Sequence, residues 1–490
     1  MPGTRVGLLC KLITWIKTDA RKIFWLAGMA GTGKTSVALT LCQMLDSDAD
    51  VLLGGSFFCS RTANVEARTY VRRVIPTLAA LLARQSPKFA VELAAELRPN
   101  SGVAGHQPVG EQIGPLLQRP LTALASEARP IVFVIDALDE CSNERELAEL
   151  LTAISTFTCD ANVKFILTSR PETHILGSPI SDRDQNEILQ LHTIETAEVT
   201  EDIRLYLDDA FSKKPLAKPW YTSADVARLA KLADGLFIFA STMISYVLDS
   251  ESITGRTTRL QTALAAVTGS AVAMGPLDAM YELVITRASN AAKVEPTELE
   301  MTRRTLACIL VVRSPPSVAA LADLLDLETD DLRESLRRLQ ATVHVPIEDD
   351  EPGLRMLHAS FGDYLIDRAA ISIRLTKSVG DDLLARGCLR VMRKRLHFNI
   401  SQSRSSYEQN SGTKPDSIVL SLEYASLRWV DHITGLPDPL VLVPDVSSTF
   451  RPRFMFWLEV MSILGQMRRA AAILIIATDI VRHIFSRWSE

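Results

Sequence analysis

Nothing in this chain constrains its fold more than one run near the start, Gly28-Met29-Ala30-Gly31-Thr32-Gly33-Lys34-Thr35, with Ser36 behind it. It is a complete G-x-x-x-x-G-K-[ST] signature, set between an apolar run, Ile23 to Ala27, and a helical stretch, Lys34 to Leu45. A phosphate-binding loop has to sit there, between a strand and a helix. Its glycines let the backbone wrap a phosphate so that several N–H groups point at it, at the positive end of the following helix. In that geometry Lys34 would neutralise the β- and γ-phosphates, and the Thr35 hydroxyl would ligand Mg2+. Residues 28–36 therefore predict a nucleotide site.

Such a loop needs acidic and basic partners. Ile131-Val-Phe-Val-Ile135 is apolar on both faces, as central parallel strands tend to be, and it runs into Asp136-Ala137-Leu138-Asp139-Glu140. Asp136 would emerge at the carboxyl end of that strand, where ligands of open α/β sheets gather, and is expected to hold Mg2+ directly or through water. Asp139 and Glu140 follow within one turn; either could orient or deprotonate the attacking water, and spacing does not rank them. Another strand candidate, Val163 to Thr168, ends in Ser169-Arg170-Pro171. Arg170 could reach a γ-phosphate there, because guanidinium pairs bidentately with phosphate. Arg61, after Ser56 to Ser60, is a weaker candidate of the same kind.

The order of elements fits an α/β P-loop core. Strand candidates at Ile23–Ala27, Val51–Cys59, Ile131–Ile135, Val163–Thr168 and Glu187–Leu191 alternate with helical segments. Among these are Val65 to Ala83 and a helix opened by Asn143 and Glu146 at capping-box spacing. The alternation predicts a doubly wound, mainly parallel sheet. Before it, Leu8, Leu9, Leu12, Ile13 and Ile16 fall at helical spacing, in a helix ending near Asp19. After residue 195 the pattern turns helical: Val199–Phe211, Ala224–Leu232, then Gly235 as a C-terminal cap and Leu236–Leu248.

A different small unit follows. Leu306–Val312 leads to Pro315-Pro316, a helix through Leu325, a second from Thr329 to Leu339, and a hairpin of Val343–Pro346 with Leu354–His358. Two helices and a hairpin resemble a winged helix. Residues 375–490 read as helical, broken by a serine-rich loop, Ser401–Ser411.

Composition narrows the function. At 490 residues the chain has room for about three domains. With 53 basic against 58 acidic residues, net −5, no global field favours nucleic acid or an anionic membrane. The winged-helix segment argues the same way: Asp330, Asp331 and Glu334 open its second helix, and Glu348, Asp349, Asp350 and Glu351 occupy its wing, where all would repel phosphates. The basic run Arg390–Arg395 reads as a solvated helix face. The longest late apolar stretch, Ala470–Ala477, meets Asp479 well short of the roughly 20 residues a membrane crossing needs. Seven scattered cysteines without a CxxC pair predict reduced thiols and a cytoplasmic protein rather than a zinc or disulfide framework.

Taken in order, the runs PGTR, FWLAGMAGTGKT, GGSFFCSR, VFVIDALDEC, FILTSRPE, ADGLFIFAST and LHASFGDYL resemble fungal NACHT-domain proteins of the nephrocystin-3-like type, within the STAND class of signal-transducing P-loop ATPases. The resemblance implies an N-terminal helix (1–20), a P-loop NTPase domain (21–195), a helical domain (196–292), a winged helix (293–372) and a C-terminal helical region (373–490). It implies slow ATP hydrolysis with Mg2+, an ADP-bound closed state, and self-association when ATP is bound. It makes Gly28–Thr35 and Asp136–Glu140 the Walker motifs and Arg170 the sensor arginine, and it gives His358 a contact with the ADP β-phosphate.

Relatives of this type carry effector segments and C-terminal repeats, whereas this chain begins 27 residues before the loop and shows no repeat period. The expectation is therefore a bare switch module, either a natural short form or an incomplete gene model, with protein partners as one source of sensing and effector function. Two other readings of the same loop are a turnover ATPase or small-molecule phosphotransferase, and a scaffold that folds round a nucleotide without hydrolysing it. Preference for ATP over GTP is left open by the residues.

Overall fold

The apolar runs pair as one parallel sheet. Its strands are β1 (Ile23–Ala27), β2 (Leu52–Phe58), β3 (Ile131–Asp136), β4 (Val163–Ser169) and β5 (Glu187–Gln190), in the order β2-β3-β4-β1-β5. The computed structural model describes residues 3–60, 71–98, 108–141, 143–182, 185–191, 194, 196–215, 219–270, 275–289, 296–346, 353–369, 374–402 and 416–487. Arg61, the wing carboxylates at 348–351 and most of the serine-rich loop lie outside the described residues.

Parallel strands need crossovers, and the helices between them cover both faces. On β1, Ile23, Trp25 and Ala27 join a core with α3 (Val74–Gln85) and helix Glu144–Ser155. Phe24 and Leu26 point the other way, into a core with α1 (Val6–Thr18) and α2 (Lys34–Asp46). The helical spacing read before the loop is the buried face of α1, where Leu8, Leu9, Leu12, Trp15 and Ile16 pack. Trp15 meets Phe24 edge-on at 5.3 Å. Fully buried side chains of this size each contribute about 1.5–3 kcal/mol, which anchors the strand ends rigidly. Of the segment expected as a helix over 65–83, residues 65–70 lie outside the described residues; a short turn over Val71–Arg73 leads into α3 at Val74.

The chain divides into two units, Met1–Met280 and Tyr281–Glu490, the division falling inside helix Pro276–Ser289. The first unit adds helices Thr196–Ser212, Ser223–Leu232, Phe237–Leu248 and Ile253–Ser270 to the sheet. Gly235 takes a left-handed φ of 79° just before the third of these, as a C-terminal glycine should.

The second unit contains helices Pro296–Val311, Val318–Leu325 and Thr329–Arg337. A two-residue antiparallel pairing of β6 (Val343–His344) with β7 (Arg355–Met356) follows, the helix-helix-hairpin order that was expected. Helices Lys377–Arg395, Leu420–Ile433, Val443–Ile463 and Met467–Arg487 complete it. Among the described residues no helix is long and apolar enough to cross a membrane.

The basic run at 390–395 departs from its sequence reading. Arg390 donates to the carbonyls of Asp323 and Leu324 at 2.8 and 2.9 Å, Arg395 pairs with the Asp323 carboxylate at 2.9 Å, and Arg393 with Asp445 at 2.9 Å. Cations placed on the last carbonyls of helix Val318–Leu325 satisfy its dipole. The run is thus a clamp between helices rather than a solvated face.

Candidate functional site

The sheet register brings the chemistry together. Ala27 lies opposite Ser169, and Phe58 opposite Asp136, so the carboxyl ends of β1, β2, β3 and β4 meet along one edge. Gly28 N–H donates to the Ser169 carbonyl at 3.1 Å, and the Trp25 indole N–H to the Ser169 hydroxyl at 2.8 Å. The loop then turns through two left-handed glycines, Gly31 (φ 79°) and Gly33 (φ 91°), and α2 starts at Lys34 with its first amides facing the loop. Helix Phe237–Leu248 presses on the turn: Ile238 N–H donates to the Gly31 carbonyl at 3.1 Å, and a Cβ on Gly31 would stand 2.0 Å from Ile238 Cγ2.

From the other side Arg5, itself left-handed at φ 56° and only 6% exposed, donates to the Thr32 carbonyl at 3.1 Å. Its guanidinium covers the Phe237 ring at 5.1 Å. Neither Arg5 nor Ile238 was singled out from the sequence as a site residue. Arg5 lies in the PGTR run and Ile238 in ADGLFIFAST, but only the fold brings them to the loop.

Lys34 Nζ donates to the carbonyls of Gly28 and Met29 at 2.7 and 3.0 Å. Burial pulls its ammonium down; the charges of Asp139, Asp136 and Glu140 oppose that shift, and Arg170 reinforces it. Lys34 thus feels the charges of Asp136, Asp139, Glu140 and Arg170, four of the residues read from the sequence.

Asp136 is 1% exposed. Its Oδ1 accepts the Thr168 hydroxyl at 2.6 Å, while Oδ2 is buried without a hydrogen bond among the described residues. Burial pushes the Asp136 carboxyl up, against the hydroxyls of Thr168 and Thr35 and the charge of Lys34. A buried carboxylate oxygen without a hydrogen bond, near Thr35, fits the Mg2+ that a P-loop nucleotide brings. No cluster of three or more His, Cys, Asp or Glu suited to a metal occurs among the described residues. Thr168, another residue the sequence did not flag, stood there only as the last residue of the strand candidate Val163–Thr168.

After Asp136 the chain reverses through Ala137, left-handed at φ 57° and ψ 49°, whose N–H is held by the Thr168 hydroxyl at 3.0 Å. Non-glycine residues pay for that conformation, and such strain concentrates at functional sites. It starts the single 3-10 turn Leu138–Glu140, which carries Asp139 towards the end of β4. Asp139 accepts the backbone N–H of Arg170 at 2.9 Å, and its other oxygen lies 3.2 Å from Arg170 Nε. Beside this turn the buried Cys59 and Cys141 are free thiols with sulfurs 3.4 Å apart, and their mutual hydrogen bond pushes the Cys59 thiol up.

His358 belongs to the second unit. It caps helix Ala359–Asp363, its Nδ1 accepting the Ser360 N–H at 3.1 Å, and the Ser360 hydroxyl lies 2.6 Å from the same nitrogen and 2.8 Å from the Tyr281 hydroxyl. A nitrogen that accepts an N–H carries no proton itself, so the neutral ring bears its proton on Nε2.

A phosphate-wrapping loop, a buried strand-end acid and an arginine just after the intervening strand are the layout of the P-loop NTPase fold. Residues 10–170 match the family described as nephrocystin 3, N-terminal. The chain is 23% identical over 483 residues to vegetative incompatibility protein HET-E-1 of Podospora anserina, an alignment covering 92% of this chain and 34% of that protein. It thus spans about a third of the length of the curated relative it matches.

Among solved structures it is similar to a STAND protein with a tetratricopeptide repeat sensor from Pyrococcus horikoshii (TM-score 0.39, 12% identity, 97% of this chain and 64% of that one). It is also similar to Cdc6p from Pyrobaculum aerophilum (TM-score 0.30, 12% identity, 78% and 94%). Likenesses this distant say nothing about function.

Proposed function

We propose that this protein is a nucleotide-operated switch that binds ADP and ATP with Mg2+, hydrolyses ATP slowly, and self-associates in its ATP form. The observation that carries the reading is the meeting of the loop, Asp136 and the Asp139–Arg170 pair at the carboxyl ends of β1, β3 and β4, because a device that tells ATP from ADP needs charged groups where the third phosphate would lie. The amides of residues 28–36 would bind the phosphates, Lys34 would balance their charge, and Thr35 and Asp136 would hold the Mg2+. Bound there, Mg2+ supplies charge neutralisation on the β- and γ-oxygens. A carboxylate of the 139–140 pair would orient the attacking water, with Arg170 on the γ-phosphate.

His358 enters the proposal through the family resemblance alone: its Nε2–H is a donor, the form that answers an anionic oxygen. The finer division at 195, 292 and 372 and a cytoplasmic setting belong to the same proposal.

Mass spectrometry of nucleotide released from the purified, denatured protein tests the reading, with light scattering in ADP and in a non-hydrolysable ATP analogue. ADP in the released fraction and a larger particle in the analogue are expected. A GDP-loaded protein, a monomer in both nucleotides, or steady-state turnover above about 1 per second, the range of true kinases, would each overturn part of it.

A further inference from the structure

Asp139 and Glu140 are equivalent candidates for the water-activating base when only the sequence is considered; the structure ties Asp139 to Arg170. Asp139 is 5% exposed, and each of its oxygens meets Arg170, Oδ1 taking the Arg170 N–H at 2.9 Å and Oδ2 lying 3.2 Å from Arg170 Nε. The same geometry suits a different task. The backbone contact fixes the chain where β4 ends, the Nε contact fixes the start of the guanidinium plane, and two fixed points orient the fork.

The left-handed Ala137, locked by Thr168, sets the turn that delivers Asp139 to this place, so β3 and β4 together build the holder. We propose that Asp139 is the positioning residue of Arg170, setting the guanidinium that distinguishes a triphosphate from a diphosphate, and that it takes no proton from water. This deepens the switch reading and rests on it.

The test is a mutant cycle read as the ratio of affinities for a non-hydrolysable ATP analogue and for ADP, with single-turnover hydrolysis alongside. ADP affinity also reports whether each variant folds. Asp139→Asn and Arg170→Ala should each lower the analogue-to-ADP ratio by about ten- to a hundredfold, the scale of a charge-assisted hydrogen bond, and the double variant should match the singles. Asp139→Glu, which keeps the charge, should recover part of the ratio.

Asp139→Asn that stops hydrolysis while leaving the ratio unchanged would make Asp139 the base and overturn the proposal; so would additive losses in the double variant. Should Asp139→Asn fail to bind ADP, the cycle runs with Asp139→Glu and Arg170→Lys, where additivity again decides against it. A wild-type protein that binds neither nucleotide would instead sink the switch reading itself.

Discussion

At the scale of single residues, the site concentrates costs that a purely structural protein would avoid. Asp136 shows this best. Burial raises its carboxyl above the ordinary value of 3.8, so the folded protein binds that proton more tightly than the unfolded chain does. Its contribution to stability is intact below the unfolded range and lost as pH rises through the folded value, leaving the ionised acid a burden at neutral pH. Asp136→Asn keeps an acceptor for Thr168 and removes the charge. Without nucleotide, this variant is expected to melt higher at pH 7, by about 2–4 °C for each kcal/mol of relieved desolvation. The gain should shrink towards pH 4, while Mg2+-dependent nucleotide binding is lost. Thermal melts at both pH values check it; an unchanged or lower midpoint at pH 7 would mean the charge is already compensated.

At the scale of elements, the loop is shaped as much by its neighbours as by its glycines. Gly31→Ala meets two obstacles, a left-handed φ of 79° and the Ile238 Cγ2 that a new Cβ would approach to 2.0 Å. The first costs roughly 1–2 kcal/mol and is local, while the second is a contact with helix Phe237–Leu248. ADP affinity should fall at least about tenfold in Gly31→Ala, and adding Ile238→Ala should return only part of it, since the strained backbone remains. Calorimetry on the two variants separates the contributions, and full recovery in the double variant would assign the whole loss to the contact.

This pair also marks what the sequence could and could not tell. The strands were legible because runs such as Ile131–Ile135 are apolar on both faces, and the loop because its spacing is a local requirement of phosphate binding. Thr168, Ala137, Arg5 and Ile238 depend on which strand lies beside which, and on a helix some 200 residues away, so no local pattern announces them. The clamp by Arg390 and Arg395 was misread for the same reason: its partner at Asp323 is remote in sequence.

At the scale of the whole molecule, every described site residue of the loop, the acids and Arg170 lies within the unit Met1–Met280, which has its own two-faced core. A fragment ending at Gly275, before helix Pro276–Ser289, should therefore still bind Mg2+ and nucleotide, with an affinity within about tenfold of the full chain for ATP. Titration calorimetry measures this, and a fragment that folds but does not bind would place an essential group in the second unit. Six tryptophans are spread along the chain, and one of them, Trp25, is buried in β1 with its indole N–H on Ser169, next to the arginine that would meet the third phosphate. Indole emission responds to the field and hydrogen bonding around the ring, so the molecule carries its own optical reporter at the point where nucleotide identity would be read, with no need for a dye or a label.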